Sequence, residues 1–509
     1  MPTPTPNTTK SDSAFQRLIR RSLPLWVIFV VLIAACAEQS FEGVDLAPEG
    51  SEFGVSSLPP ADVLSDDVGG ASDDDDSVVE DASASNLSAE PNDAATTSTT
   101  STDPPPNPAD LGQVPMEGIF YVSPDGNDAS DGTVPSRAFG TINFAASQLQ
   151  PGNQLFLLDG VFVEEFRPDT AVMITAKGTA DDWIRIGAFP GHSPIVAGPE
   201  RNSFKLEGAE YLELSGIEME GSGTNLLGAG VHVENPSHHI RIVNNVVHGF
   251  PAGGINITGS SHITIAGNEV FGNANFHDGQ HSGISIWRPQ NLGIPDDEAG
   301  YSFYVLGNTV YDNRNTVPGE RGITDGNCII LDQTNITGYD GRTLIANNVC
   351  FGNGGRGVNI HQSTKADVVN NTVFQNLESL DLEGTNGELM AYEADDVRFV
   401  NNLTMPNAGE LAAVASRSDN IIFVDNLFVA DEDPDVGSEN SLLATELLES
   451  VVTTASTDPL IADFTLAPQS PAIDTGRSDF AGLLGVDRLN AERLIGTGVD
   501  VGALESPIP

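Results

Sequence analysis

The chain has 509 residues, with 72 acidic against 22 basic side chains and a formal charge of −50. Such a carboxylate surplus repels phosphate backbones, which excludes nucleic acid as a partner, and it works against unaided binding of a polyanionic sugar. Three cysteines exclude a disulfide framework.

Residues 1–22 are polar and basic, and Leu23 to Ala35 is apolar. That run is shorter than the roughly 20 residues a membrane span needs, and its layout is that of an export signal. The ending Ile33-Ala34-Ala35-Cys36 resembles a bacterial lipoprotein cleavage box, which implies cleavage before Cys36 and lipid on its sulfur. Residues 37–115 are rich in Ser, Thr, Asp and Pro and include the acidic run Asp73 to Asp76. They predict a disordered, self-repelling tether.

From residue 116 the pattern changes. IFYVS predicts a first strand, INFAASQLQ a short amphipathic helix and QLFLLDG the next strand, with early coils over 161–229. Then Asn-x-Val or a close variant recurs at Asn245, Asn268, Asn308, Asn348, Asn371, Asn402 and Asn426, in steps of 23, 40, 40, 23, 31 and 24 residues. A period near 23 with insertions marks a solenoid. Val, Ile, Thr, Gly and Asn dominate, which favours strands and tight turns over helices. The seven asparagines fit an internal ladder whose amides bond coil to coil, a structural role. After Phe428 the chain is acidic and less periodic to about Thr457, and SPAID and DVGALE follow.

YVSPDGNDASDGTVPSRAFGTINFAASQLQPGNQLFLLDGVF, the asparagine coils and SPAID…DVGALE together resemble the pectate-lyase-like proteins of secreted carbohydrate metabolism, over residues 116–505. The resemblance implies an all-β chain, a right-handed parallel β-helix of three sheets. It also implies a short N-terminal capping helix and a C-terminal tail across the last coils. It leaves the reaction open, since this fold hosts lyases, hydrolases, epimerases and adhesins.

In a parallel β-helix, equivalent strand positions stack into columns. The strands align by the inward pairs Val231/Val233, Ile255/Ile257, Ile284/Ile286, Ile329/Leu331, Val358/Ile360, Met390/Tyr392 and Ala413/Ala415. The next, outward column then reads Glu234, Thr258, Trp287, Asp332, His361, Glu393, Ser416. Trp287 offers a flat face to a sugar ring, and Asp332 and Glu393 would flank His361 as acid, base or tuning groups. Stacked two coils apart, those carboxylates would lie roughly 9–10 Å from each other.

Residues just ahead of these strands add to the same face: His277, Asp278 and His281; Arg321, Asp325 and Asn327; and Arg356. Arg288 and Arg356, with Arg321 and His281 beside them, are candidate substrate ligands, an arginine fork suiting a carboxylate. Asp278, Asp325 and Asp332 could share a calcium ion. The 45-residue step from Gly283 to Cys328 predicts a loop at 289–322 beside Trp287 and Asp332. Cys328 and Cys350 fall on different faces of the coil, and no bond between them is expected.

The expected protein is therefore an exported, membrane-anchored monomer acting on or binding a polysaccharide. A uronate lyase with His361 as base and an arginine or calcium on the carboxylate leads. A glycoside hydrolase using Asp332 and Glu393 is the other enzyme, and a non-catalytic glycan-binding adhesin the third reading.

Overall fold

A computed structural model describes residues 118–507, apart from 165–169, 199–200, 223–227, 385 and parts of 431–449. The expected export signal, Cys36 and the tether 37–115 lie outside the described residues.

The described residues wind through three parallel sheets of 12, 11 and 9 strands, which we call sheets 1, 2 and 3. Each coil visits them in that order, as in Thr343–Ala346, Val349–Phe351 and Val358–His361. Within these sheets each strand pairs with its equivalent one coil away, so all three grow in chain order; Val452–Thr454 and Asp463–Leu466 pair separately and antiparallel. This is the expected right-handed parallel β-helix, with the hand that parallel crossovers adopt. The helix expected near the start forms over Ile142–Ser147, where Thr141 Oγ1 accepts from the Phe144 N–H at 3.2 Å. It buries Ile142, Ala145 and Ala146, and Asn143 bonds the first strand of sheet 3 through the Ala171 carbonyl.

Coil interiors are filled by alternating apolar side chains, and the seven repeated asparagines form a continuous buried ladder. Each Oδ1 from Asn268 onward accepts both the backbone N–H and the Nδ2 of its counterpart one coil earlier, at 2.9–3.1 Å. Each is preceded by a residue at positive φ: Asn244, Gly267, Gly307, Asn347, Asn370, Asn401 and Asp425. Gly, Asn and Asp visit that region most cheaply, so the turn between sheets 1 and 2 is written locally.

A second ladder, absent from the sequence expectations, joins Asn273, Asn313, Asn353 and Asn376. Glu388 ends it. Its fully buried carboxyl accepts the Asn376 N–H and Nδ2, both at 2.8 Å. Burial pushes the Glu388 pKa up to about 8. The folded state therefore holds this proton more tightly than the unfolded chain. Stability from the group is complete below the ordinary glutamate value of 4.5 and is lost as pH rises through 8. Glu388→Gln keeps an oxygen able to accept both donors, as each ladder Oδ1 does. Its thermal midpoint should exceed that of the parent above pH 8, by an amount worth on the order of a few kcal/mol, and match it near pH 4. An equal shift at both pH values would refute this.

One expectation is overturned inside the coil: Cys328 and Cys350 are disulfide-bonded, with Cα atoms 5.7 Å apart. They belong to different sides of the coil, as expected, but both point inward where the interior is narrow. The neighbouring coils place glycine opposite valine there. A Cβ on Gly254 would lie 2.3 Å from Val270 Cγ1, on Gly283 2.6 Å from Val310 Cγ1, and on Gly357 2.1 Å from Val373 Cγ1. The register makes Cys328 and Cys350 the counterparts of that pair. Cys328→Gly with Cys350→Val should therefore restore the packing of the other coils and lose only the cross-link, about 3 kcal/mol for a loop of this length. Cys328→Ser with Cys350→Ser, which buries two hydroxyls, should be less stable in the same chemical denaturation series. The reverse order would count against a packing equivalence.

The C-terminal residues 450–507 lie along the outside of the coils. Val452, Phe464, Val501 and Leu504 pack on outward side chains of sheet 2, and Phe480 on those of sheet 1. Buried Arg493 bonds Asn347 Oδ1 at 2.5 Å, and Arg488 bonds Thr309. Sheets 1 and 2 are thus covered along the later coils. The extra length near Trp287 is also not one loop at 289–322, because Phe303–Leu306 and Thr309–Tyr311 are that coil's own strands. It divides into 288–302 and 312–328, which flank the two ends of sheet 3's strands.

Candidate active site

The outward column of sheet 3 runs Glu207, Glu234, Thr258, Trp287, Asp332, His361, Tyr392, Ser416. It matches the sequence expectation except in one coil. Leu389 and Ala391 face the core there, not Met390 and Tyr392, so Tyr392 follows His361 and Glu393 moves one position on. The run ELMAY is apolar at nearly every position, so alternation alone does not fix its register. Glu393 instead accepts from Gln362 Nε2 at 2.7 Å and pairs with Arg417 at 3.3 Å. The expected Asp332/Glu393 pair about His361 is not assembled.

Asp332 and His361 sit side by side on adjacent strands, with Asp332 Oδ1 2.8 Å from His361 Nδ1. A carboxylate on Nδ1 fixes the ring's tautomer and orientation and leaves Nε2 as the reactive nitrogen. The His361 ring stacks on Tyr392, with centroids 5.3 Å apart and planes 6° from parallel. Two residues earlier on the same strand, the buried Asn359 Oδ1 has no hydrogen-bond partner among the described residues.

Asp325 comes to this face from the loop that precedes Asp332's strand. Its Oδ1 accepts from Asn327 Nδ2 at 2.8 Å, and that turn is locked by Asn327 Oδ1 accepting the Arg356 N–H at 2.9 Å. Burial raises the Asp325 pKa. The Arg356 charge opposes the rise, and the nearby Asp332 carboxylate adds to it. Burial thus shifts Asp325 toward its protonated form, close enough to Asp332 and His361 to feel both charges.

The other expected ligands are placed differently. Arg356 is buried: its guanidinium donates to the carbonyls of Thr324 and Glu383 and to Asn386, so it braces two loops and offers no open fork. Arg288 donates from Nε to Gln333 Oε1 at 2.6 Å and lies 4.7 Å over the Trp287 ring. Arg321 is exposed on its loop. His281 touches Asn256 at 3.4 Å; burial, with His277 and His232 nearby, pushes its pKa down to about 3, so it is a neutral ring outside the column. Asp278 is exposed beside His277, whereas Asp325 is held by Asn327. Among the described residues no three His, Cys, Asp or Glu side chains are grouped to hold a metal. The calcium set expected from Asp278, Asp325 and Asp332 is therefore not assembled.

Beside Trp287 the column opens into a cavity of about 480 Å³, walled by the start of the 288–302 loop and by the short helix Thr334–Thr337.

No protein-family model and no curated protein matches the chain. Among solved structures it is similar to a pectate lyase, at 16% identity over 77% of this chain and 97% of that one, TM-score 0.47. It is similar to an alginate lyase from Paenibacillus sp., at 15% identity over 59% and 95%, TM-score 0.40. It is also similar to a GH136 lacto-N-biosidase from Eubacterium ramulus, at 17% identity over 61% of this chain and 55% of that one, TM-score 0.38.

Proposed function

We propose that this protein is a glycoside hydrolase whose working face is the outer surface of sheet 3. The observation that carries this is the pairing of two carboxyls in unlike surroundings. Asp325 is pushed toward its protonated form by burial, and Asp332 is held by the His361 imidazole. Neighbouring acids whose environments separate them are the pattern of acid and partner in glycosidic cleavage. Asp325 gives its proton to the glycosidic oxygen as the bond to C1 breaks. Asp332 meets C1, directly or through a water.

A lyase is the second reading, and the Asp332–His361 bond favours it, because it leaves His361 Nε2 to take an α-proton. Purified protein incubated with a polysaccharide panel, with calcium and with EDTA, separates the readings. New reducing ends without an unsaturated chromophore support hydrolysis. Unsaturated ends support the lyase, and neither product across the panel leaves a glycan-binding wall. We place the protein outside the cytoplasm, held by lipid on Cys36. The buried Cys328–Cys350 bond supports an oxidising compartment.

A further inference from the structure

The cavity beside Asp332 has features that point to its occupant. Large apolar side chains are seldom left open in a polar wall, yet two of them face this one space: Trp287, 40% exposed, and Ile336, 56% exposed. The Arg288 guanidinium covers part of the indole and the remainder stays open. The floor is Thr258 with Glu234 and Glu207 on the preceding coils. From Glu207 to Trp287 is three strand steps, roughly 14 Å, so the space suits a stretch of sugar chain more than a single ring. Trp287 is the register partner of Asp332, which puts this stretch directly against the proposed bond-breaking coil.

The charges are equally specific. Lys205 lies between Glu234 and Glu207, at 2.6 and 3.4 Å. Arg288 is bonded to Gln333, Arg356 is buried on carbonyls, and Arg417 is held by Tyr392 and Glu393. Arg321 does not line the cavity. Among the described residues Lys205, Arg288, Arg356 and Arg417 thus each have a neighbour of their own, and the cavity floor presents two carboxylates. A uronate placed there would face Glu207 and Glu234, and the guanidinium in the lining, Arg288, lies over the Trp287 ring with its Nε on Gln333.

We infer that this cavity is the subsite for a neutral stretch of glycan, bound by stacking on Trp287 and Ile336 and by hydrogen bonds to Glu234 and Thr258. This rests on the hydrolase reading for its place beside the reaction and replaces the uronate substrate expected from the resemblance.

The test is calorimetric titration of the full chain carrying Asp332→Asn, which prevents turnover, with neutral tetrasaccharides of glucose, xylose and galactose and with tetragalacturonate. At least one neutral tetrasaccharide should bind. Trp287→Ala should weaken it about tenfold or more, and Trp287→Phe, which keeps a ring, by only a few-fold. Tetragalacturonate should bind more weakly than the best neutral ligand. Tighter tetragalacturonate binding, neutral binding indifferent to Trp287→Ala, or no neutral binding would each overturn the inference. Neutral binding that depends on Trp287 in a chain whose unsubstituted form cleaves nothing leaves the subsite standing and the hydrolase fallen. Cleavage with binding indifferent to Trp287 does the reverse.

Discussion

Asp332→Asn should lower the rate of glycosidic cleavage by roughly three to four orders of magnitude while the thermal midpoint stays close to that of the parent. The substitution keeps an oxygen that can accept from His361 Nδ1, so the fold of the face is preserved and only the carboxylate is lost. Asp325→Asn should cost a comparable factor, with a different signature. Burial raises the Asp325 pKa, so the parent's activity should fall as pH rises and this proton leaves. In Asp325→Asn the residual rate should lose that alkaline limb. The same shift fixes the sign of a stability effect. The folded state binds this proton more tightly than the unfolded state. The group's contribution is therefore complete below the ordinary aspartate pKa and is lost as pH rises through the folded value. Asp325→Asn should thus be more stable than the parent at neutral pH and no different in acid. A variant that gains stability as it loses activity is expected where a site keeps a buried acid. Full turnover by Asp332→Asn would remove the hydrolase reading.

Asn308→Ala is expected to be a severely damaging truncation of the scaffold, since this ladder asparagine is fully buried. Its amide donates to the Ile265 carbonyl and Asn348 Oδ1 and accepts from the Asn268 N–H and Nδ2, all between 2.9 and 3.0 Å and all buried. Alanine leaves those partners unpaired away from water, at a cost of about 3–5 kcal/mol. Asn291→Ala is the comparison. That asparagine makes two bonds, to Gly338 and Asp340, on an exposed loop where water replaces them, so its cost should stay below about 0.5 kcal/mol. Urea midpoints of the two variants measure the contrast. Equal small losses would mean that the ladder is decoration on a scaffold held by its apolar interior.

The stacking of coils was legible because each coil repeats the same local signals. A turn that needs positive φ carries Gly, Asn or Asp, the next residue is the ladder asparagine, and alternating Val and Ile follow. Those signals name their neighbours one coil away, so the seven asparagines, the core pairs and most of the outward column followed from the chain alone. Where repetition failed, so did the expectation. The alternation that puts Met390 and Tyr392 inward fails because LMAY is apolar throughout and the one polar residue of the run, Glu388, is itself buried.

What the chain alone determined, then, was the vertical order: which residues lie above which, since that depends only on a repeat and a strand spacing. Contacts across and around the coil were decided by the tertiary structure. Cys328 reaches Cys350 because two inward positions on different sides meet in a narrow interior, a distance no repeat encodes. Arg356 became a brace and Asp325 a buried acid because loops 312–328 and 375–386 fold back over their own strands, which removes water from one charge and gives the other backbone carbonyls. Burial, which sets both roles, is a property of the closed coil and its loops and of no segment by itself.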